Sequence, residues 1–244
     1  MGVVLLCCGM LIRFQDRGSD SPLVERVWRS HSERGGMFHS VAATTWNIVV
    51  TRLGGKTFFT VRGPESHATA AECPAEGEWF GIRFKVGTFM PLFRSVDLRD
   101  RNDLTLPTAT KRSFWLQGGA WEFPKYDNAE SFVDRLAREG LIRFDPVVER
   151  AIRGEAQDFS TRTEQRRVLE ITGLTRGAIC QIERARKATL LLREGKPIAD
   201  VVSEAGYYDQ AHLTRSVQRF VGLTPMRIAE GREQLSHLYN TDGG

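Results

Sequence analysis

"GYYDQAHLTRSVQRFVGLTP", Gly206 to Pro225, decides how the C-terminal part of this chain is read. Gly206 permits the positive φ of a sharp turn, and Asp209 is placed to cap a helix running from Gln210 to Phe220. Within that helix Leu213, Val217 and Phe220 recur at i, i+4 and i+7 and mark the side that is buried. Gln210, Ala211, Thr214, Arg215, Gln218 and Arg219 are left outside. A short helix behind a glycine turn, presenting amides, hydroxyls and guanidiniums, has the chemistry of a major-groove reader. Arg matches guanine O6 and N7, Gln matches adenine N6 and N7, and Ala or a Thr methyl suits the thymine methyl. The same pattern also describes a solvated helix of any bundle, so the flanking sequence has to arbitrate.

Immediately upstream, "PIADVVSEAG" opens with a proline suited to a first helical turn and repeats Ile198, Val201, Val202 and Ala205 at helical spacing. Further back, "STRTEQRRVLEITGLTRGAI" follows the same logic as the opening stretch. Ser160 is placed to cap, Arg162, Gln165 and Arg166 lie outward, and Gly173 stops the helix. Between the two, "RGAICQIERARKATLLLREGK" predicts one continuous helix with Ile179, Ile182, Ala185 and Leu192 inward, ending at Gly195. Its roughly 17 residues span on the order of 25 Å, enough to hold two reading helices near the ~34 Å separation of successive major-groove faces.

The first two thirds read differently. "TTWNIVVTRLGGKTFFTVRGP" sets two β-branched and aromatic runs around Gly54-Gly55, a hairpin signature. "EWFGIRFKVGTF" alternates Ile82, Phe84 and Val86 with Arg83 and Lys85, as a half-buried strand does. Strand signals run from Ser21 to about Pro107 and predict a sandwich or barrel. A helix then follows in "YDNAESFVDRLAREGLI", with Asp127 and Glu130 as a capping box, an apolar stripe of Phe132, Val133 and Leu136, and Gly140 as its stop. The fold class expected is α+β: a β-rich N-terminal domain with following helices, then an all-α double helix-turn-helix. The expected divisions are a leader over 1–20, a sensor or dimerisation domain over 21–142, a DNA-binding domain over 143–232 and a tail over 233–244.

Composition supports two modest soluble domains: the 244 residues are 41% hydrophobic and 26% charged, with a formal net charge of +4. The positive charge is concentrated. Arg162, Arg166, Arg167, Arg176, Arg184, Arg186 and Lys187 face only Glu164, Glu170 and Glu183, and no acid lies between Gln210 and Ile228. That distribution fits a polyanionic partner. Cys7, Cys8, Cys73 and Cys180 have no repeating spacing, which argues against a disulfide framework or a zinc knuckle and for a reducing cytoplasm. "MGVVLLCCGMLI" is apolar but lacks a basic n-region and is too short to span a bilayer. It reads as a flexible or strand-forming leader, or as sequence upstream of a start at Met10; a lipoprotein signal ending at Cys7 is a remote alternative.

With these residues in view, "RARKATLLLREGKPIADVVSEAGYYDQAHLTRSVQRFVGLTP" and the preceding "STRTEQRRV...TGLT" resemble the DNA-binding half of the AraC/XylS family of bacterial transcriptional regulators, over about Asp145 to Ile228. The resemblance implies two helix-turn-helix units on a linker helix, reading adjacent major grooves. It assigns DNA contact to Arg162, Gln165 and Arg166 in the first unit and to Gln210, Ala211, Thr214 and Arg215 in the second, with Arg219 expected on phosphate. Glu164 and Val168 depart from the family's leucine-like and phenylalanine positions, and Val217 replaces an aromatic. The first helix of unit one, "DPVVERAIRGEAQDF", lacks a clear turn glycine. In the N-terminal half "RGPESHATA", "GIRFKVGTFMP" and "FPKYDNAESFVDRL" resemble a subgroup whose sensor has no assigned ligand, the usual sensor being a cupin-like barrel.

Enzyme classes find little support. A cupin oxygenase needs converging imidazoles, whereas His31, His39 and His67 are isolated and form no His-x-His pair. An alkylation-repair site needs clustered thiolates, which Cys7, Cys8 and Cys73 do not provide by their spacing. No cofactor or metal is expected. The expected partners are double-stranded DNA, a small-molecule effector, RNA polymerase and a second copy of the chain, without a membrane. The rival reading is a non-enzymatic sensor or oligomerisation protein whose helical half binds a protein. Glu164, one turn before Val168, points toward the first unit's core; a rim position is expected for it, with Arg150, Arg153 and Arg167 as the partners if it is buried.

Overall fold

A computed structural model describes residues 12–100, 103–155, 161–231, 233 and 235. The expectations that fall on Cys7, Cys8, Met10, the Ser160 cap and most of the tail lie outside these residues. The N-terminal half opens with β1 (Ile12–Gly18), β2 (Val24–Ser32), β3 (Gly36–Ser40), β4 (Asn47–Leu53), β5 (Lys56–Arg62), β6 (Thr69–Cys73) and β7 (Glu78–Phe84). Next come the short strands β8 (Thr88–Phe89), β9 (Leu104–Leu106), β10 (Thr108–Thr110), β11 (Ser113–Leu116) and β12 (Gly119–Glu122). β1, β2, β7, β4, β5 and β9 form one antiparallel sheet in that order. Gly54 and Gly55, both at positive φ, make the two-residue turn between β4 and β5 that the sequence predicts.

Register sorts the side chains of this sheet onto two faces. Val27, Ile82, Ile48, Val61 and Leu104 stand opposite one another on one face. That face packs on Phe114, Trp121, Phe132, Val133 and Leu136 and makes the N-terminal core. The stacked rings of Phe59 and Phe114, 3.8 Å between centroids, lie at its centre. Trp28, Gly81, Val49, Thr60 and Thr105 share the other face. Above this second face lies the β3–β6 pair, and the two enclose a cavity of about 380 Å³. The sheet is open, with β1 and β9 as its edges, and no ladder among the described residues closes it into a barrel, one of the two forms expected beside a sandwich.

Two expectations are corrected, while the segment read as a flexible or strand-forming leader contains a strand, the sheet beginning at Ile12. Strands continue to Glu122 rather than stopping near Pro107, because β10 to β12 are three or four residues each, too short to show a period. The Asp127–Glu130 capping box is not formed before α1 (Ala129–Arg138). Asn128 Oδ1 accepts from the Lys125 amide at 2.7 Å instead, and Glu130 accepts from Arg17 of β1 at 2.5 and 2.8 Å.

β13 (Arg143–Phe144) pairs with β8 and leads into the helical half. This comprises α2 (Pro146–Arg153), α3 (Thr161–Thr172), α4 (Arg176–Arg193), α5 (Ile198–Glu204), α6 (Gln210–Val221) and α7 (Pro225–Glu230). Asp145 caps α2, accepting from the Val147 amide at 2.9 Å, and its other oxygen binds Arg167 Nε at 2.5 Å, which ties α2 to α3. Gly154 at φ 77 closes α2, so a glycine does follow the first helix of unit one. α4 runs without interruption for 18 residues, capped by Thr175, and buries Ile179, Ile182, Ala185 and Leu192 as predicted. One core joins its first half to α2 and α3, and another joins its second half to α5, α6 and α7.

Both helical cores also contain residues of the N-terminal half. Ala42 belongs to the first, and Val41 and Ala43 belong to the second. The segment between β3 and β4 is therefore seated against both helix units.

Candidate nucleic-acid interface

The second unit is built as its sequence indicates. Gly206 takes φ 71 after α5, and Asp209 Oδ1 accepts from the His212 amide at 2.6 Å to cap α6. Leu213, Val217 and Phe220 are buried. Gln210, Ala211, Arg215 and Gln218 are exposed and Thr214 is half-buried, its hydroxyl donating to the Gln210 carbonyl at 2.8 Å. Because that hydroxyl is spent on its own helix, Thr214 offers mainly a methyl and lone pairs outward. Tyr207 and Tyr208 have opposite fates. Tyr207 is buried, bonded to Ser216 Oγ at 2.9 Å, and burial raises its phenol pKa with Ser216 and Arg184 opposing. Tyr208 is 92% exposed, one residue before the cap of α6.

In the first unit, α3 buries Val168 and Ile171, and Arg162, Gln165 and Arg166 are exposed on its first two turns. Leu169, three and four residues beyond Arg166 and Gln165, is exposed on the same side. Neither Tyr208 nor Leu169 was anticipated. "GYYDQ" does not tell which tyrosine turns inward, and Leu169 counts as core in any binary pattern. None of Arg162, Arg166, Arg215 and Arg219 is ion-paired with a described residue, and all four are exposed.

Glu164 is half-buried, but its Oε1 is enclosed with no hydrogen-bond partner among the described residues. The anticipated partners are taken up elsewhere: Arg167 binds Asp145, Arg153 binds Glu149 at 2.6 Å, and Arg150 is exposed. The rim position thus describes the residue as a whole and fails for one oxygen.

α3 and α6 share a feature that no sequence pattern announced. A helix leaves its last four carbonyls without intrahelical donors. At the end of α3 the Ile171 carbonyl accepts from Ser95 Oγ at 2.5 Å and from Trp46 Nε1 at 3.4 Å, and the Gly173 carbonyl from Arg99 at 3.4 Å. At the end of α6 the Arg219 carbonyl accepts from the Ala68 amide and the Phe220 carbonyl from the Ala42 amide, each at 2.8 Å. Every one of these donors comes from the N-terminal half. The sheet domain therefore caps the C-termini of α3 and α6, while the predicted contact residues lie on their first two turns. Arg219 is the exception. It sits at the docked end, with its guanidinium 5.1 Å from the Phe220 ring, apart from the other site residues.

Among the described residues no three His, Cys, Asp or Glu side chains converge on a metal-sized site, and no helix is long and apolar enough to cross a membrane. A family model described as a helix-turn-helix domain matches residues 155–231. No curated protein and no solved structure matches the chain.

Proposed function

We propose that the chain, whose residues 155–231 match a helix-turn-helix family model and resemble the AraC/XylS regulators, is a transcription regulator that reads specific duplex DNA with α3 and α6. The observation that carries this reading is the matched construction of the two helices. Each is capped at its C-terminus by the sheet domain and exposes polar side chains, with no ion pair to a described residue, on its first two turns. Arg215, Gln210, Arg162 and Gln165 choose bases, Ala211 and Thr214 meet thymine methyls, and Arg166 and Arg219 hold phosphates. Exposed Tyr208 adds a phosphate-reaching hydroxyl beside α6. α4, 18 residues and ~27 Å long, sets the spacing between the two readers. The activity is binding rather than chemistry and needs no metal.

A small-molecule effector belongs to the same proposal. The cavity of about 380 Å³ falls in the size range of small-ligand sites, roughly 300–1,000 Å³. Trp28, Trp79, Phe14 and Phe38 give it aromatic walls, and Arg62 and Glu65, paired at 2.9 Å, give it polarity. Val41 and Ala43 line it as well, and Ala42 between them bonds to α6, so a ligand there acts on the seating of a reading helix. A cytoplasmic location, pairing with a second copy and contact with RNA polymerase complete the proposal.

Selection from a random duplex pool, followed by affinity measurements across a salt series, tests it. Enrichment of a two-part site and a steep linear fall of log affinity with log salt are expected. Absence of enrichment, with a flat salt response, favours the rival in which the helical half binds a protein. Exhaustive chelation should leave DNA binding unchanged; loss of binding together with stoichiometric zinc or iron would refute the metal-free reading.

A further inference from the structure

Arg83 is the most deeply buried charge described in the protein, 1% exposed at the end of β7. Its Nη1 lies 3.8 Å from Glu25 Oε1, a long contact, and its Nε and Nη2 have no hydrogen-bond partner. Those two nitrogens form one edge of the guanidinium, and both are closed off from water, so Arg83 acts on the cavity through its charge. Asn47, opposite Arg83 in register, does not supply the acceptor, since its Oδ1 lacks a partner too. Burial lowers the pKa of Arg83 to about 10, with Glu25 opposing and Arg186 adding to the effect, so the group remains charged at neutral pH. A buried charge in this condition is costly unless something pairs with it.

Arg83 lines a cavity of about 300 Å³ between the sheet domain and helices α2 and α4, separate from the aromatic cavity described above. Lys85 and Arg186 line it from the two sides of the seam. The carboxylates present are largely engaged: Glu149 holds Arg153 at 2.6 Å, and Glu183 accepts from Thr44 at 3.0 Å and lies 3.7 Å from Arg186. Lys85 has no ion pair with a described residue. Four cations, Arg83, Lys85, Arg153 and Arg186, and three carboxylates, Glu25, Glu149 and Glu183, line this half-open cavity, which leaves an excess of positive charge in a volume about ten times the ~30 Å³ share of a water molecule.

We propose that this interdomain cavity binds a small oxyanion, a carboxylate- or phosphate-bearing molecule, held by Lys85 and Arg186 with the buried Arg83 charge behind them. The site is distinct from the effector cavity and does not depend on the DNA reading. It bridges β7 and α4, so its occupant pins the sheet domain to the strut that carries both helix units.

The test uses the full chain without DNA, in phosphate-free buffer, by calorimetric titration with inorganic phosphate and separately with succinate. Sodium chloride at matched ionic strength is the control. Saturable one-site binding of either anion is expected, and which one saturates names the group. Arg186→Gln and Lys85→Gln, both on partly exposed side chains, should each weaken it about tenfold, the loss of one charge-assisted contact. The proposal is overturned if neither anion saturates, if chloride gives the same heat, or if Arg186→Gln and Lys85→Gln bind as the parent does.

Discussion

Arg215 is exposed on the second turn of a helix whose far end is fixed, and no carboxylate among the described residues pairs with it. Arg215→Ala should cost about 1–3 kcal/mol on the preferred site and relax the choice at one or two base positions. Arg219→Ala, at the docked end, should weaken all sequences alike. Competition profiles of the two variants against a mutated-site panel separate these outcomes, and an unchanged profile for Arg215→Ala removes it from base reading. Glu164 gives a stability prediction. Because its enclosed Oε1 has no partner, Glu164→Leu should raise stability by about 1–3 kcal/mol, read as a higher unfolding temperature. A loss of several kcal/mol would instead reveal an ion pair. Single residues were legible where a backbone rule fixed them. Asp209 announced a cap because its side chain bonds its own chain three residues on. Glu164 was only half legible: its helical phase set its direction, but Asp145's claim on Arg167 is a tertiary fact.

At the scale of elements, turn glycines and cross-element pairs carry different loads. Gly206 and Gly173 both sit at φ 71, but a Cβ on Gly206 meets nothing within 4 Å, whereas one on Gly173 comes to 2.9 Å from the Ser95 carbonyl oxygen. Gly206→Ala should cost about 1–2 kcal/mol, the strain of a left-handed L-residue. Gly173→Ala should cost more, because it also has to part α3 from the sheet domain; denaturant unfolding of both variants orders them. The Arg17 hydrogen bond holds the Glu130 carboxyl down at about 2, against an ordinary 4.5. A depressed carboxyl stabilises above its unfolded value, so that contribution is complete above about pH 4.5 and is lost as pH falls toward 2. Arg17→Gln should therefore flatten the acid limb of the stability profile in that window, modestly, since the pair is partly exposed. Helices α4 and α6 and the β4–β5 hairpin were readable because length lets a period accumulate. β10 to β12 were not, and the pairing that left the sheet open depends on strand order, which no local pattern encodes.

Over the whole molecule, the joint between the halves was the least visible feature. Its donors are largely the backbone amides of Ala42 and Ala68 and single polar side chains in loops, and a backbone amide has no sequence signature. Ala42 is 2% exposed within the core of the first unit, so Ala42→Trp should force the seam apart. Lower unfolding temperature and weaker DNA binding, with helix content retained by circular dichroism, are expected; unchanged affinity would show that docking and reading are independent. The docked carbonyls also bear on how such a protein is inherited. A sensor that merely hangs beside its DNA-binding partner can be exchanged by recombination at the junction between them. Here the last turns of α3 and α6 borrow their caps from residues 42 to 99, so a crossover near residue 143 severs both helices from the groups that finish them. A working hybrid has to import the matching loops together with the helices, which makes the two halves one heritable unit.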